Sequence, residues 1–155
     1  HEGVNEEYLK YHISQSEYLG KKLLENGIPV QYPIGGHAVF VDAKQLLPHI
    51  HPSEFPALSL ANALYMEGGI RGVEMGSLLS GRDAKTKEQK QSIHEFLQLT
   101  IPHRVYTNNH MDFIVECFVN LQQNLKDIQP LELEYEPPML RHFTSRMKTK
   151  IEKKN

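Results

Sequence analysis

The stretch GIPVQYPIGGHAVFVDA, residues 27–43, decides how the chain is read, because it marks a passage from helix to sheet. Gly27 stands where a helix C-cap belongs, and two prolines then confine IPVQYP to an extended path. After Gly35-Gly36, β-branched and aromatic residues alternate through AVFVD with the period of two that a half-buried strand requires. Upstream, Tyr8, Leu9, His12, Ile13, Ser16, Leu19 and Leu23 recur at helical spacing, which predicts a helix over about residues 5–26. Downstream, Ser53 is expected to cap a second helix, with Pro56 in its first turn and Gly68-Gly69 at its end.

IRGVEMGSLLSG, residues 70–81, reads as a strand bent at Gly76, and residues 83–92 read as a polar loop. Leu97, Leu99 and Ile101 alternate in another strand that stops at Pro102. A third helix is expected from about His110 to Leu125, with Phe113, Ile114, Cys117, Phe118, Leu121 and Leu125 on its apolar side. LELEYEP forms a last strand, with Leu131, Leu133 and Tyr135 on one side. The lysine-rich end reads as a frayed tail. Interspersed helices and strands without a repeat give an α+β fold, a largely antiparallel sheet with packed helices. Residues 1–148 form one domain and 149–155 a polar tail.

The 155 residues are 39% hydrophobic and 23% charged, a globular composition large enough for a core. A formal net charge of −2 gives no electrostatic reason to bind nucleic acid or an anionic membrane. No apolar run reaches the roughly 18 residues that span a bilayer. One cysteine suits a reducing compartment, so a cytoplasmic location is expected. The missing initial Met suggests a piece of something longer.

Nine histidines raise the question of a metal, but His49 and His51 lie in a proline-flanked loop without a third ligand at recognisable spacing, so no metal site is expected. Cys117 reads as a buried small apolar group. Neither a dinucleotide fingerprint nor a phosphate loop is present, since Gly35-Gly36 precedes a strand. His37, at the mouth of that strand, reads equally as a site residue or as a histidine bonded to backbone at a strand edge. His142, between Arg141 and Phe143, could offer its imidazole to a ligand or simply lie on the surface. The arginines are Arg71, Arg82, Arg104, Arg141 and Arg146, and any could fork onto a carboxylate. The residues alone specify no complete site.

Four strings carry a resemblance: residues 27–50, residues 54–83 (EFPALSLANALYMEGGIRGVEMGSLLSGRD), residues 99–113 (LTIPHRVYTNNHMDF) and residues 135–148 (YEPPMLRHFTSRMK). They resemble, in order, the closing part of the tryptophanases and tyrosine phenol-lyases. The resemblance implies the small C-terminal domain of a fold-type-I pyridoxal-phosphate lyase, from residue 1 to about 148. It further implies a cytoplasmic homotetramer using potassium, with an amino-acid substrate and neither nucleic acid nor membrane as partner.

Within that family, phenol-lyases carry arginine between the counterparts of Glu74 and Gly76, where this chain has Met75, and phenylalanine where it has His142. Both differences point to tryptophan, cleaved to indole, pyruvate and ammonia. His142 and His37 are then the candidate catalytic residues, and Met75, Gln98 and Phe143 the substrate contacts. Gln98 departs from the family's arginine, a bidentate clamp for the substrate carboxylate. Arg104, six positions on, lies some 20 Å away along a strand and does not replace it. The amine that would join pyridoxal phosphate is expected in sequence outside this stretch. The rival readings are a non-enzymatic degenerate paralogue or interaction module, and a β-eliminating lyase for another amino acid such as tyrosine.

Overall fold

A computed structural model describes residues 5–102 and 105–150. Helix α1 spans Glu6–Glu25, capped by the Asn5 side chain, which accepts from the Tyr8 amide at 3.1 Å. Strand β1 is Ala38–Asp42, followed by a short α2 at Ala43–Leu46. The proline-bounded segment before β1 runs beside it: the Gln31 amide donates to the Phe40 carbonyl and the Asp42 amide to the Pro29 carbonyl, both at 2.8 Å. Then come α3 (Pro56–Gly68), β2 (Val73–Met75), α4 (Ser77–Ser80), β3 (Phe96–Thr100) and α5 (Asn108–Gln122). A ribbon closes the described chain: β4 (Leu131–Tyr135), α6 (Arg141–Thr144) and β5 (Arg146–Thr149).

The α+β reading holds. Three antiparallel strands form a sheet in the order β1-β3-β2, and β4 pairs antiparallel with β5. Alternation assigns the two faces of the larger sheet. Val39, Val41, Leu97 and Leu99 are all at most 4% exposed and pack with Leu19 and Leu23 of α1, Leu60 and Leu64 of α3, and Met111 and Phe118 of α5. Fully burying such a side chain is worth about 1.5–3 kcal/mol, so this one face supplies most of what holds the helices to the sheet. The opposite face, with Phe40, Val73, Met75, Phe96 and Gln98, is only partly covered. A second, smaller core of Phe55, Leu78 and Leu131, joined by Leu58, Leu133 and Met147, anchors the ribbon.

Four expectations are corrected. Ser53 does not cap α3: it lies in a 3-10 turn at Pro52–Glu54, and α3 starts from Phe55 in a left-handed conformation (φ 57°) with no side-chain cap. The strand expected through residue 81 ends at Met75, because beyond Gly76 the SLLS segment turns as α4. Helix α5 begins at Asn108 and ends at Gln122, and it buries Met111 and Val115 with Cys117 and Phe118, leaving Phe113 49% exposed. Finally, β5 runs through Thr149, paired with Leu131, and the Lys150 amide donates to the Pro130 carbonyl, so regular structure passes the expected start of the tail.

Candidate functional site

The register of the three-stranded sheet collects several of the candidates. Val73 and Phe40 lie opposite Gln98 from either side, and Met75 and Asp42 lie opposite Phe96. Met75 and Gln98 therefore share the open face, on neighbouring strands, with Phe40, Phe96 and Val73 around them. Phe40 and Phe96 meet edge-on at 6.2 Å, and His94 stacks on Phe96 at 5.1 Å. This is a flat aromatic and aliphatic platform with one amide in it, suited to the face of a planar ring.

At the β2 edge of the platform lies a buried polar cluster. Glu74 (2% exposed) points to the inner side, and Glu95 and Ser77 are fully buried. Glu74 Oε1 accepts from the Leu78 amide and Oε2 from the Leu79 amide, each at 3.1 Å. Glu95 Oε1 accepts from the Ser77 amide at 2.8 Å and from the Ser77 hydroxyl at 2.5 Å. Burial pushes the Glu95 carboxyl above its ordinary range, and the two bonds from Ser77 pull the other way. The charge of Glu74 adds to the upward push. Gly76 is what lets the two carboxyl groups approach: a Cβ there would lie 2.3 Å from Glu95 Oε2 and 2.8 Å from Glu74 Oε1.

His142 belongs to this cluster and is not a loose surface histidine. Its Nε2 lies 3.0 Å from both the Glu74 carbonyl and Glu74 Oε2. A carbonyl can only accept, so Nε2 carries a proton, and in the neutral ring Nδ1 then keeps its lone pair. That Nδ1 is shielded from solvent and has no hydrogen-bond partner among the described residues. Phe143 meets the imidazole edge-on at 5.2 Å and is itself 79% exposed. Arg141 braces the segment: its Nη1 donates to the Leu78 carbonyl at 2.8 Å, Nη2 to Gln89 Oε1, and Nε contacts Glu136 at 2.7 Å.

His37 is placed elsewhere. Its carbonyl accepts from the Ile101 amide at 3.1 Å, but its exposed ring makes no hydrogen bond among the described residues, so it is not the backbone-bonded histidine of the alternative reading. It precedes β1 at the Thr100 end of β3, whereas Glu74 on β2 faces Leu97. Two strand spacings and four residues separate them, roughly 16 Å between backbones. The structure does not bring His37 and His142 together. A cleft of about 340 Å³ between α1, α5 and the end of the sheet is lined by neither; Arg71, Thr100, Tyr106 and His110 are its polar members.

Of the arginines, Arg82 and Arg141 both meet Glu136, Arg146 lies over the Tyr135 ring, and Arg71 is exposed in the cleft. Arg104 lies outside the described residues. His49 Nε2 lies 3.0 Å from the Ile128 carbonyl, and His51 caps the Pro52 turn. No group of three or more potential metal ligands occurs among the described residues. Cys117 is buried, and burial raises its thiol above the usual range, as a packing residue would have it.

The lysines decide whether this chain can hold pyridoxal phosphate. Every described lysine is exposed except Lys22, which is half-buried with its ammonium over the Tyr18 ring. An imine-forming lysine needs a desolvated amine or a neighbouring cation, and no described lysine is so placed. These residues do not fit the cofactor's attachment point. No described helix is long and apolar enough to cross a membrane.

Glu74, Glu95 and Ser77 escaped sequence reasoning. Their signal is faint, a carboxylate two residues before Gly76 and a serine just after it, and nothing in one strand announces the acid that pairs from the next.

Comparison with known proteins adds the context. The model of the beta-eliminating lyase family matches residues 3–117. The chain is 51% identical to a tryptophanase of Haemophilus influenzae over 148 residues, 96% of this chain and 31% of the relative. It is 49% identical to a tryptophanase of Salinibacter ruber over 147 residues, 95% of this chain and 31% of the relative. A tyrosine phenol-lyase of Fusobacterium nucleatum is 48% identical over 145 residues, 94% of this chain and 32% of that one. The chain thus spans about a third of the length of these relatives, and the two branches match it about equally well.

Proposed function

The chain belongs to the beta-eliminating lyase family, and we propose that it is the C-terminal portion of a member that cleaves L-tryptophan to indole, pyruvate and ammonia. In this reading pyridoxal phosphate, attached to a lysine outside the chain, supplies the electron sink that makes the α-proton and the β-substituent removable. This chain supplies the pocket for the side chain. The observation that carries tryptophan over tyrosine is Met75: it stands with Phe40, Phe96 and Val73 on one apolar face, opposite Phe96. An indole face is content there, whereas a phenol oxygen set against Met75 would lose a water partner and gain none from that side chain, a cost of about 1–3 kcal/mol.

His142 acts at the edge of that platform. Held by Glu74 with Nδ1 bare, it suits the indole N–H, a donor that cannot accept. Departure of indole requires a proton at its C3, and a hydrogen bond at the ring nitrogen favours the charge that builds as that proton arrives. His37, at the other end of the sheet, takes no part in holding the ring; our reading gives it the cofactor end of the ligand. Phe143 closes over the ring. A cytoplasmic homotetramer activated by potassium is part of the same proposal.

Gln98 favours a second reading. A half-exposed amide stands on the platform where a bidentate cation would grip the substrate carboxylate, which supports a lyase for a different amino acid, or a paralogue without activity. The experiment is pyruvate release by the complete gene product, loaded with cofactor, from tryptophan, tyrosine and cysteine. Turnover of tryptophan well above the others is the expected result. Good turnover of another substrate with none of tryptophan overturns the first reading, and silence on all three favours the paralogue.

A further inference from the structure

The buried cluster beneath the platform asks for a use. A carboxylate has only acceptor sites, and Glu74 takes three N–H donors on them: the Leu78 and Leu79 amides at 3.1 Å and His142 Nε2 at 3.0 Å. The Glu74 carbonyl takes the same imidazole N–H at 3.0 Å. One residue thereby holds the ring by main chain and side chain together, which leaves it neither free rotation nor a choice of tautomer. Among the described residues the opposite nitrogen is left without a donor, in a place closed to water. An unmet acceptor of that kind is costly in a resting protein, and the cost is removed only by something that donates. Beside it Phe143 meets the imidazole edge-on, a ring that makes no hydrogen bond and so can swing aside without breaking one. The other charged groups around the pair are Glu95, across Gly76, and Arg141, on the same helical turn as His142.

We propose that Glu74 is a positioning residue for the reaction: it fixes the orientation and Nε2–H tautomer of His142, so that Nδ1 is presented as the acceptor for a donor-only ring N–H. The proposal rests on the tryptophan reading above and adds to it the group that makes His142 competent. Glutamine is not an equivalent replacement. Its NH₂ must face either the Leu78 amide, or the Leu79 amide and His142 Nε2, and in each case donor meets donor.

The test is Glu74→Gln in the complete, cofactor-loaded gene product, with two readouts. The first compares tryptophan with β-chloroalanine, whose leaving group has no N–H to hold. We expect kcat/KM to fall about tenfold to a hundredfold on tryptophan, the scale for losing a group that orients a working imidazole, and less than twofold on β-chloroalanine. Equal losses on both substrates, or no loss on tryptophan, overturn the proposal. The second is the solid-state ¹⁵N spectrum of histidine-labelled protein, with His142 assigned by a His142→Phe variant. Wild type should show a bare Nδ1 and a protonated Nε2, and Glu74→Gln a mixture of tautomers. A wild-type Nδ1 that carries the proton overturns the proposal even if the variant fails to fold. If wild type does not cleave tryptophan, the functional reading fails, while the spectra still decide whether Glu74 sets the tautomer.

Discussion

Replacing Glu95 by Gln tests the electrostatics of the buried cluster directly. Glu95 is fully buried, its Oε1 accepts two bonds from Ser77, and its Oε2 has no well-formed hydrogen bond among the described residues and lies on the Glu74 side of Gly76. Burial raises its pKa, and the charge of Glu74 acts the same way; the Ser77 bonds and the nearby Ala57 amide oppose them without prevailing. The folded chain therefore keeps this proton at pH values where the unfolded chain, at its ordinary 4.5, has already released it. A raised carboxyl makes its full contribution to stability below about pH 4.5 and loses it as pH climbs through the folded value. One proton held by the folded state alone costs stability at up to about 1.4 kcal/mol per pH unit. With a urea slope of about 1–3 kcal/mol/M, that is a midpoint difference of about 0.5–1.4 M per pH unit. Gln copies the neutral acid: its carbonyl can face Ser77 and its NH₂ can donate towards Glu74. Urea unfolding followed by far-UV circular dichroism at pH 4, 5, 6 and 7 should give a Glu95→Gln advantage absent at pH 4 and widening upward. A difference that stays constant with pH, or narrows as pH rises, would refute the argument, because it would mean that Glu95 is ionised in the fold.

Three further outcomes are expected. Gly76→Ala drives a methyl to within 2.3 Å of Glu95 Oε2, and should cost about 1–3 kcal/mol, read as a fall in midpoint; a neutral substitution would show that the carboxyl groups can part. Gln98→Arg restores a planar cation on the platform, so the KM for tryptophan of the complete protein should drop by about tenfold or more, and an unchanged KM would place the substrate carboxylate elsewhere. The isolated chain mixed with pyridoxal phosphate and dialysed should keep no yellow colour, since its described lysines are exposed or lie over an aromatic ring; stable colour would identify a lysine with a depressed affinity for protons.

Helix α1, β1 and β3 are legible because period and punctuation agree there: a 3.6-residue stripe ending at Gly27, alternation through AVFVD, and alternation up to Pro102 where the strand itself ends at Thr100. Leu78 and Leu79 misled because two adjacent leucines have no period, and only the backbone beyond Gly76 decides between strand and turn. In α5 the expected stripe lies too far round, since Phe113 and Ile114 are as apolar as the buried Met111 and Val115. At the site, Met75 and Gln98 could be compared with a family pattern, but their common face required the β2–β3 register. The buried carboxyls could not be read at all. Glu74 and Glu95 look like any other acids among the chain's 19, and their burial depends on Gly76, Ser77 and a histidine 68 positions away.

The imidazole is mounted on a part of the chain with its own apolar anchor. Helix α6 lies between β4 and β5, and that ribbon is fastened through Leu131, Leu133 and Met147 to Phe55 and Leu78, with Lys150 reaching back to Glu54. The larger interior beneath β1 and β3 does not include these side chains. Truncating Leu133 or Met147 would therefore detune the histidine while the platform stays intact, and on warming the arm should loosen before the body does. Natural variation along the ribbon then becomes a way of adjusting ring recognition without touching a single residue that meets the ring.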